Sequence, residues 1–509
     1  MAELDLSNRY ELVEKFIHQT NQCIFLTGKA GSGKTTLLKK IMASTFKETV
    51  VVAPTGIAAL NAGGSTIHSF FLLPFSPFIP EHQAEQQING KILFENKSTL
   101  IRHFKHTKQR KQLLRSIELL VIDEVSMLRA DLLDAMDWVL RNQRDINEPF
   151  GGVQVLFIGD LYQLPPIVKN EEWHVLKNHY ATQHFFSAKV LQEQPMAFIE
   201  LDKIFRQSDP TFIDMLNQFR TNTVTPATMA KLQERIVPDT NDYSNGIITL
   251  TTHNQKANQI NTIALGQLTD KPLTYQATVT GEFPEHIYPI DYTLVIKKGA
   301  QVMFVKNDPS GEKKFYNGKM ARVIEHDKNT IKVQFIEDGK TIEVEEYEWE
   351  NKQFILNEAN EIEEKVMGTF VQYPLKLAWA ITIHKSQGLT FDKARLDMRD
   401  VFAPGQAYVA LSRLRSLEGL SLTSSIRTNS LQIDPQIVEF SRVCDQPSQL
   451  PQHFNAGRWY YSVSMCQRAF DLSTLIREMD LHGISYQNAP KKSIKADTHP
   501  WYISQLGQI

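Results

Sequence analysis

A chain of 509 residues is too long for one ordinary hydrophobic core and calls for several domains. Hydrophobic residues make up 42% and charged residues 22%, as in globular proteins, and a net charge of −2 excludes a global basic attraction, so any nucleic-acid partner must sit in a local groove. Three widely spaced cysteines (Cys23, Cys444, Cys466) argue against a disulfide framework or a zinc spacing, no run of about 18 apolar residues suggests a membrane span, and the acidic start Met1-Ala2-Glu3-Leu4-Asp5 does not read as a leader, so a cytoplasmic location is expected.

The first predicted strand, Cys23-Ile24-Phe25-Leu26, runs into Gly28-Lys29-Ala30-Gly31-Ser32-Gly33-Lys34-Thr35 and then a helical pattern from Thr36. Glycines there let successive backbone N–H groups face a phosphate, Lys34 can reach the β- and γ-phosphates, and the Thr35 hydroxyl can ligate Mg²⁺. The helix dipole adds positive potential, so ATP or GTP with Mg²⁺ is the expected ligand.

Val50-Val51-Val52-Ala53 reads as a second buried strand, followed by Thr55 and Gly56 at a helix start. Phe70 to Phe78 is aromatic and proline-broken, and reads either as a wedge with rings free to stack on bases or as a loop tucked against the core. The basic run from Arg102 to Arg115 suits a DNA flank or a solvated face.

Leu119-Leu120-Val121-Ile122 delivers Asp123 and Glu124 to a strand end, where they can hold Mg²⁺ and polarise water, or cap a helix. Asp131 to Leu140 has a helical, core-facing period. Val155-Leu156-Phe157-Ile158 ends in Gly159-Asp160-Leu161-Tyr162-Gln163-Leu164-Pro165-Pro166, a stiff loop whose Gln163 could sense a γ-phosphate. The alternation is that of an α/β fold working at the carboxyl edge of its sheet.

A second α/β unit is expected from Phe198-Ile199-Glu200-Leu201, with strands at Ile247-Ile248-Thr249-Leu250 and Leu375 to Ile383. Short strands separated by Asn317-Gly318 and Asp338-Gly339 interrupt it over 295–369 and read as an inserted small β-barrel. Arg458-Trp459-Tyr460-Tyr461 and Phe470 to Met479 suggest a packed extension over 431–509.

The ordered series G-K-A-G-S-G-K-T-T, A-P-T-G-I-A-A, S-T-I-H-S-F, V-I-D-E-V-S-M and G-D-L-Y-Q-L-P-P continues with Phe205-Arg206-Gln207, Thr382 to Asp392 and Tyr408 to Arg413. It resembles the PIF family of DNA helicases, in the 5′-to-3′ branch of helicase superfamily one. The resemblance implies two RecA-like parallel-sheet domains in tandem, at 1–190 (with the wedge at about 68–80) and at 191–294 with 370–430. It also implies a Src-homology-like barrel that helps close over the strand, and action on single-stranded, forked and four-stranded guanine DNA in replication, repair or recombination.

By the same resemblance Arg206 and Arg413 are arginine fingers from the second unit, Gln163 is the sensor, and Gly388 lets backbone approach the γ-phosphate. DNA contacts are implied at Thr55, Gly56, His68, Ser69, Phe71, Pro165, Pro166, Thr382, His384, Lys385 and Ser386. A glutamine-bearing adenine motif is not evident, leaving Asn8, Asn21 and Gln22 as candidates. The residues alone also admit a ring-type protein-remodelling ATPase or a nucleotide-switched single-strand-binding module.

Overall fold

A computed structural model of the chain describes residues 8–81, 87–88, 92–103, 108–238, 246–310, 312, 314–357, 361–399, 405–426, 433–444, 447–488 and 493–506. Lys105 and His106 of the basic run lie outside them. The chain forms two compact bodies, Gln452–Ile509 with a short N-terminal stretch and nearly all the rest.

In the larger body the first lobe is a six-stranded parallel sheet, in the order Ala197–Leu201, Ile24–Gly28, Gln154–Ile158, Leu119–Ile122, Thr49–Ala53, Ser65–Thr66. The runs from 24 to 28, 119 to 122 and 154 to 158 are buried along their whole length, as strands covered on both faces must be. Helix Ala130–Arg144 turns Leu133, Met136, Val139 and Leu140 onto this core. The strand 197–201 corrects the expected boundary at 190: Ala197 pairs with Ile24 and Leu201 with Gly28, so it closes the first sheet instead of opening the second unit.

The second lobe is a four-stranded parallel sheet ordered Ala380–Thr382, Ile248–Thr251, Ala394–Leu396, Leu420–Leu422. The stretch from Leu375 to Ile383 is not one strand. Leu375–Leu377 pairs antiparallel with Gln301–Phe304, while Ala380–Thr382 joins the parallel sheet. Buried Gln301 marks the change, donating its side-chain amide to the Ala378 carbonyl at 2.8 Å.

The insertion is wider than 295–369. A five-stranded antiparallel meander (Thr341–Val344, Ile331–Phe335, Met320–His326, Gln301–Phe304, Leu375–Leu377) is accompanied by the pair Leu273–Gln276 and Thr293–Ile296. A long hairpin, Tyr347–Leu356 with Ile362–Gln372, completes it. The hairpin reaches the first lobe: Phe354 joins that core, 6.0 Å from the Phe70 ring, and the Ile362 amide donates to Glu48 at 2.8 Å.

The extension does not separate at 430. Helix Pro435–Cys444 packs on the first lobe, with Phe440 stacked on Phe186 at 4.3 Å and Asp434 bonded to His184 at 3.2 Å. The smaller body contains helices Ser473–Gln487 and Ile494–Leu506, joined by a Tyr486–Tyr502 ring stack at 4.8 Å.

Candidate nucleotide and nucleic-acid site

The strand ends of the first sheet assemble the site. The phosphate loop turns through Gly31 (φ 81°) and Gly33 (φ 83°), and Gly33 precedes helix Lys34–Ser44. Lys34 donates its ammonium to the carbonyls of Gly28 (2.6 Å) and Lys29 (3.2 Å), and burial lowers its pKa against the pull of Asp160 and Glu124. Ser32 Oγ is buried with no hydrogen-bond partner among the described residues, the mark of a loop shaped for an added acceptor. Thr35 and Thr36 are exposed at the helix start.

Asp123 and Glu124 stand beside the loop. Burial raises both carboxyls above their ordinary values: for Asp123 the charge of Glu124 adds to the rise, while for Glu124 Lys34 and Arg413 oppose it. Glu124 adopts a left-handed backbone (φ 52°), a strained conformation for a non-glycine residue, and its amide donates to Asp123 Oδ1 at 3.0 Å. Gln163 is buried, its side-chain amide 3.3 Å from Asp160.

Arg206 and Arg413 come together from different elements. Arg206 follows the edge strand of the first sheet, which corrects its assignment to the second unit, and donates to the Ser412 carbonyl at 3.1 Å. Arg413 is buried at the end of helix Gln406–Leu411, donating to Val409 O (3.0 Å) and Ser412 Oγ (3.1 Å). Burial, then neighbouring Arg206, pulls its pKa down to about 9, and Glu124 opposes the shift. Gly388 has φ 79° and open space beside its α-carbon.

Three residues here were given no role by the sequence. Tyr408, which the sequence offers only as the first residue of the segment ending at Arg413, places its hydroxyl 3.0 Å from the Ala30 amide and 3.3 Å from Asp160. Tyr10 donates to Ser32 O at 2.7 Å, and exposed Phe205 lies edge-on to it at 6.4 Å. Both aromatic residues flank Gly33, which a glutamine search could not reveal. Asn8 instead accepts from the Glu11 amide, and the Gln22 carbonyl from Gln154.

The expected DNA contacts divide. Thr55 and Thr66 cap the helices that begin at Gly56 and Ile67, accepting from the amides of Ala58 and Ser69. His68 is half-buried, its pKa lowered by burial and then by Arg129, and it stacks on Phe75 at 4.6 Å. Ser69 and Lys385 are exposed, and Pro165 and His384 half-buried. Phe71, by contrast, is fully buried: the turn Ile67–Phe71 directs Ile67, Phe70 and Phe71 inward, and the outward ring is Phe75, 78% exposed. Thr382, Ser386 and Pro166 are also buried. Ser386 Oγ donates to Ile383 O at 2.7 Å and Thr382 Oγ1 accepts from the Lys385 amide at 3.3 Å, so these hydroxyls shape the turn.

A cleft of about 80 Å³ joins helix Gly56–Ala62, the insertion and the 384 turn, with Asn61, Lys306, Lys376, Lys385 and Gln387 in its wall. Lys306 and Lys376 were missed because they stand alone in strand-like sequence. A larger cavity, about 490 Å³, lies at Phe78, Trp138 and Arg141, away from the phosphate loop.

A sequence model of the PIF1-like helicase family matches residues 7–228. The ATP-dependent DNA helicase Pif1 of Bdellovibrio bacteriovorus is 30% identical over 430 residues, covering 83% of this chain and 88% of that one. Among solved structures, Bacteroides sp Pif1 in complex with ADP-AlF4 has 40% identity and a TM-score of 0.77, covering 87% of this chain and 97% of that chain. Bacteroides Pif1 bound to ssDNA has 39% identity over the same shares, with a TM-score of 0.60. The chain belongs to the PIF1-like helicase family.

Proposed function

We infer that this chain is an ATP-dependent DNA helicase, a motor that closes and opens two lobes around ATP while moving along single-stranded DNA and opening forks. The observation that carries the reading is the meeting of a phosphate loop, an acidic pair and two arginines from different elements in one cleft, in a chain of this family.

The residues present fit the nucleotide and Mg²⁺. Gly31 and Gly33 offer amides and Ser32 an unpartnered hydroxyl to phosphate, Lys34 a cation, and Thr35 with Asp123 oxygen ligands for the metal. Bound Mg²⁺ neutralises phosphate charge. Glu124, held as an unusually basic carboxylate, accepts the proton of the attacking water. Arg206 and Arg413 stabilise the charge spread over the transferred phosphoryl group, and Gln163 reports its presence to the stiff loop ending at Pro166. Tyr10 and Phe205, which flank Gly33, would border the adenine. Gly388 leaves room for backbone beside the γ-phosphate.

Phosphates of the strand run over the amides at Thr55 and Gly56, past His68 and Ser69, and along Lys306, Lys376, His384 and Lys385. Phe75 supplies the ring at the fork. Movement is 5′ to 3′, and four-stranded guanine DNA is a substrate by the same opening step. Work on the chromosome places the enzyme with the DNA of the cytoplasm or nucleoid, and no helix among the described residues is long and apolar enough to cross a membrane. ATPase turnover with and without a single-stranded oligonucleotide tests the reading; strand-dependent stimulation is expected.

A further inference from the structure

Tyr408 is 3% exposed and its hydroxyl is used twice. It accepts from the Ala30 amide in the phosphate loop at 3.0 Å and donates to Asp160 Oδ2 at 3.3 Å. A neutral phenol can do both at once, and burial together with Asp160 keeps this one protonated. Asp160, fully buried, also receives the Gln163 side-chain amide (3.3 Å), the Tyr162 amide (3.2 Å) and Arg220 (3.5 Å). The Arg220 guanidinium covers the Tyr162 ring at 4.5 Å. The sensor loop, the phosphate loop and the second lobe thus meet on one carboxylate and one hydroxyl.

The helix that carries Tyr408 is attached to the same place at its start. A Cβ on Gly405 would stand 2.2 Å from the Gln163 carbonyl, so only glycine lets the backbones approach this closely. At its end the chain reaches Arg413, whose charge interacts with Glu124. One short helix therefore touches the sensor loop and the phosphate loop, and the turn after it sets the charge of Arg413 against Glu124. If the lobes part, the Ala30 amide and Asp160 both lose their shared partner.

We propose that the Tyr408 hydroxyl is a positioning group that ties the Ala30 amide to Asp160, so that the phosphate loop takes its working shape only when the second lobe is seated by a bound strand. This rests on the helicase reading. Tyr408→Phe keeps the ring and removes both bonds. In the full chain, the ratio of strand-stimulated to strand-free kcat is expected to fall at least about ten-fold, with the affinity for a dT oligonucleotide within about two-fold of wild type. Asp160→Asn is expected to lower the same ratio, and the double variant should be close to the worse single variant, since the two remove one shared link.

A retained ratio in Tyr408→Phe overturns the proposal, including the case in which both rates fall together, as a merely structural role would give. Independent, multiplying losses in the double variant overturn it too. If Tyr408→Phe does not fold, Asp160→Asn decides: a lowered ratio supports the link and a retained ratio removes it. A wild-type chain that shows no strand stimulation defeats the helicase reading itself, and with it this inference, and is told apart because there is then no ratio to lose.

Discussion

A Cβ on Gly31 would stand 2.5 Å from the Cβ of Arg206: the arginine backbone lies against the phosphate loop, fixed there by the Phe205 amide donating to Gly31 O at 2.9 Å. Arg206 thus forms one wall of the nucleotide cleft, and Arg413, whose pKa is lowered by burial and then by Arg206, approaches from the second lobe. Removing the far arginine should leave the loop intact. Arg413→Ala is expected to bind a fluorescent ATP analogue with near wild-type affinity while turnover falls about 10³–10⁵-fold. Steady-state ATPase and a nucleotide titration check this, and unchanged turnover contradicts the assignment.

The two phenylalanines of the wedge should separate stability from unwinding. Phe71→Ala removes a fully buried ring and is expected to cost about 3–5 kcal/mol of stability. Phe75→Ala removes an exposed ring, so thermal unfolding should hardly move while fork unwinding slows. Equal effects of the two on unfolding would contradict the packing described.

Lys306 and Lys376 should act through phosphate charge. Each phosphate contact removed lowers the slope of log K against log salt by about 0.7 for single strands. Lys376→Ala is therefore expected to weaken oligonucleotide binding at low salt and flatten the salt dependence, read by fluorescence anisotropy across a salt series. A parallel line with the wild-type slope would place this lysine off the strand path.

Acid stability should depend on Asp397 at the end of the second sheet. Burial alone would raise its carboxyl, but hydrogen bonds from Arg399 (2.8 Å) and Lys256 outweigh it and hold the pKa well below the ordinary range. The folded state therefore binds this proton more weakly than the unfolded chain. The stabilisation is complete above the unfolded value, about 3.9, and is lost as pH falls toward the folded value. Asp397→Asn should be less stable near pH 7, by about 1.5–3 kcal/mol for charged hydrogen bonds, with the difference shrinking below about pH 4. Chemical denaturation at both pH values tests it.

What the sequence discloses follows the range of the forces involved. The phosphate loop, the acidic pair and the sensor loop each stand on a contiguous apolar strand, so local runs located them. Partners distant along the chain stayed hidden. Nothing near Ala197 says that it pairs with Ile24, and nothing near Phe440 that it stacks on Phe186. The run from Leu375 to Ile383 looked like one strand because its composition does not change where Gln301 divides it between two sheets. The aromatic string around Phe71 did not say which ring faces out, since a five-residue helix is too short for a clear period. Tyr408 was hidden by its own ring: an apolar body beside Val409, Ala410 and Leu411 conceals a polar tip.

In the proposed motor, hydrolysis in the cleft is coupled to a strand on the tops of both lobes. The most direct measurement is ATP turnover by the full chain, with Mg²⁺, in the presence and absence of a single-stranded oligonucleotide, for wild type and Lys34→Ala. Strong stimulation in the wild type that the variant abolishes is the predicted result. Turnover that no strand accelerates would contradict the account.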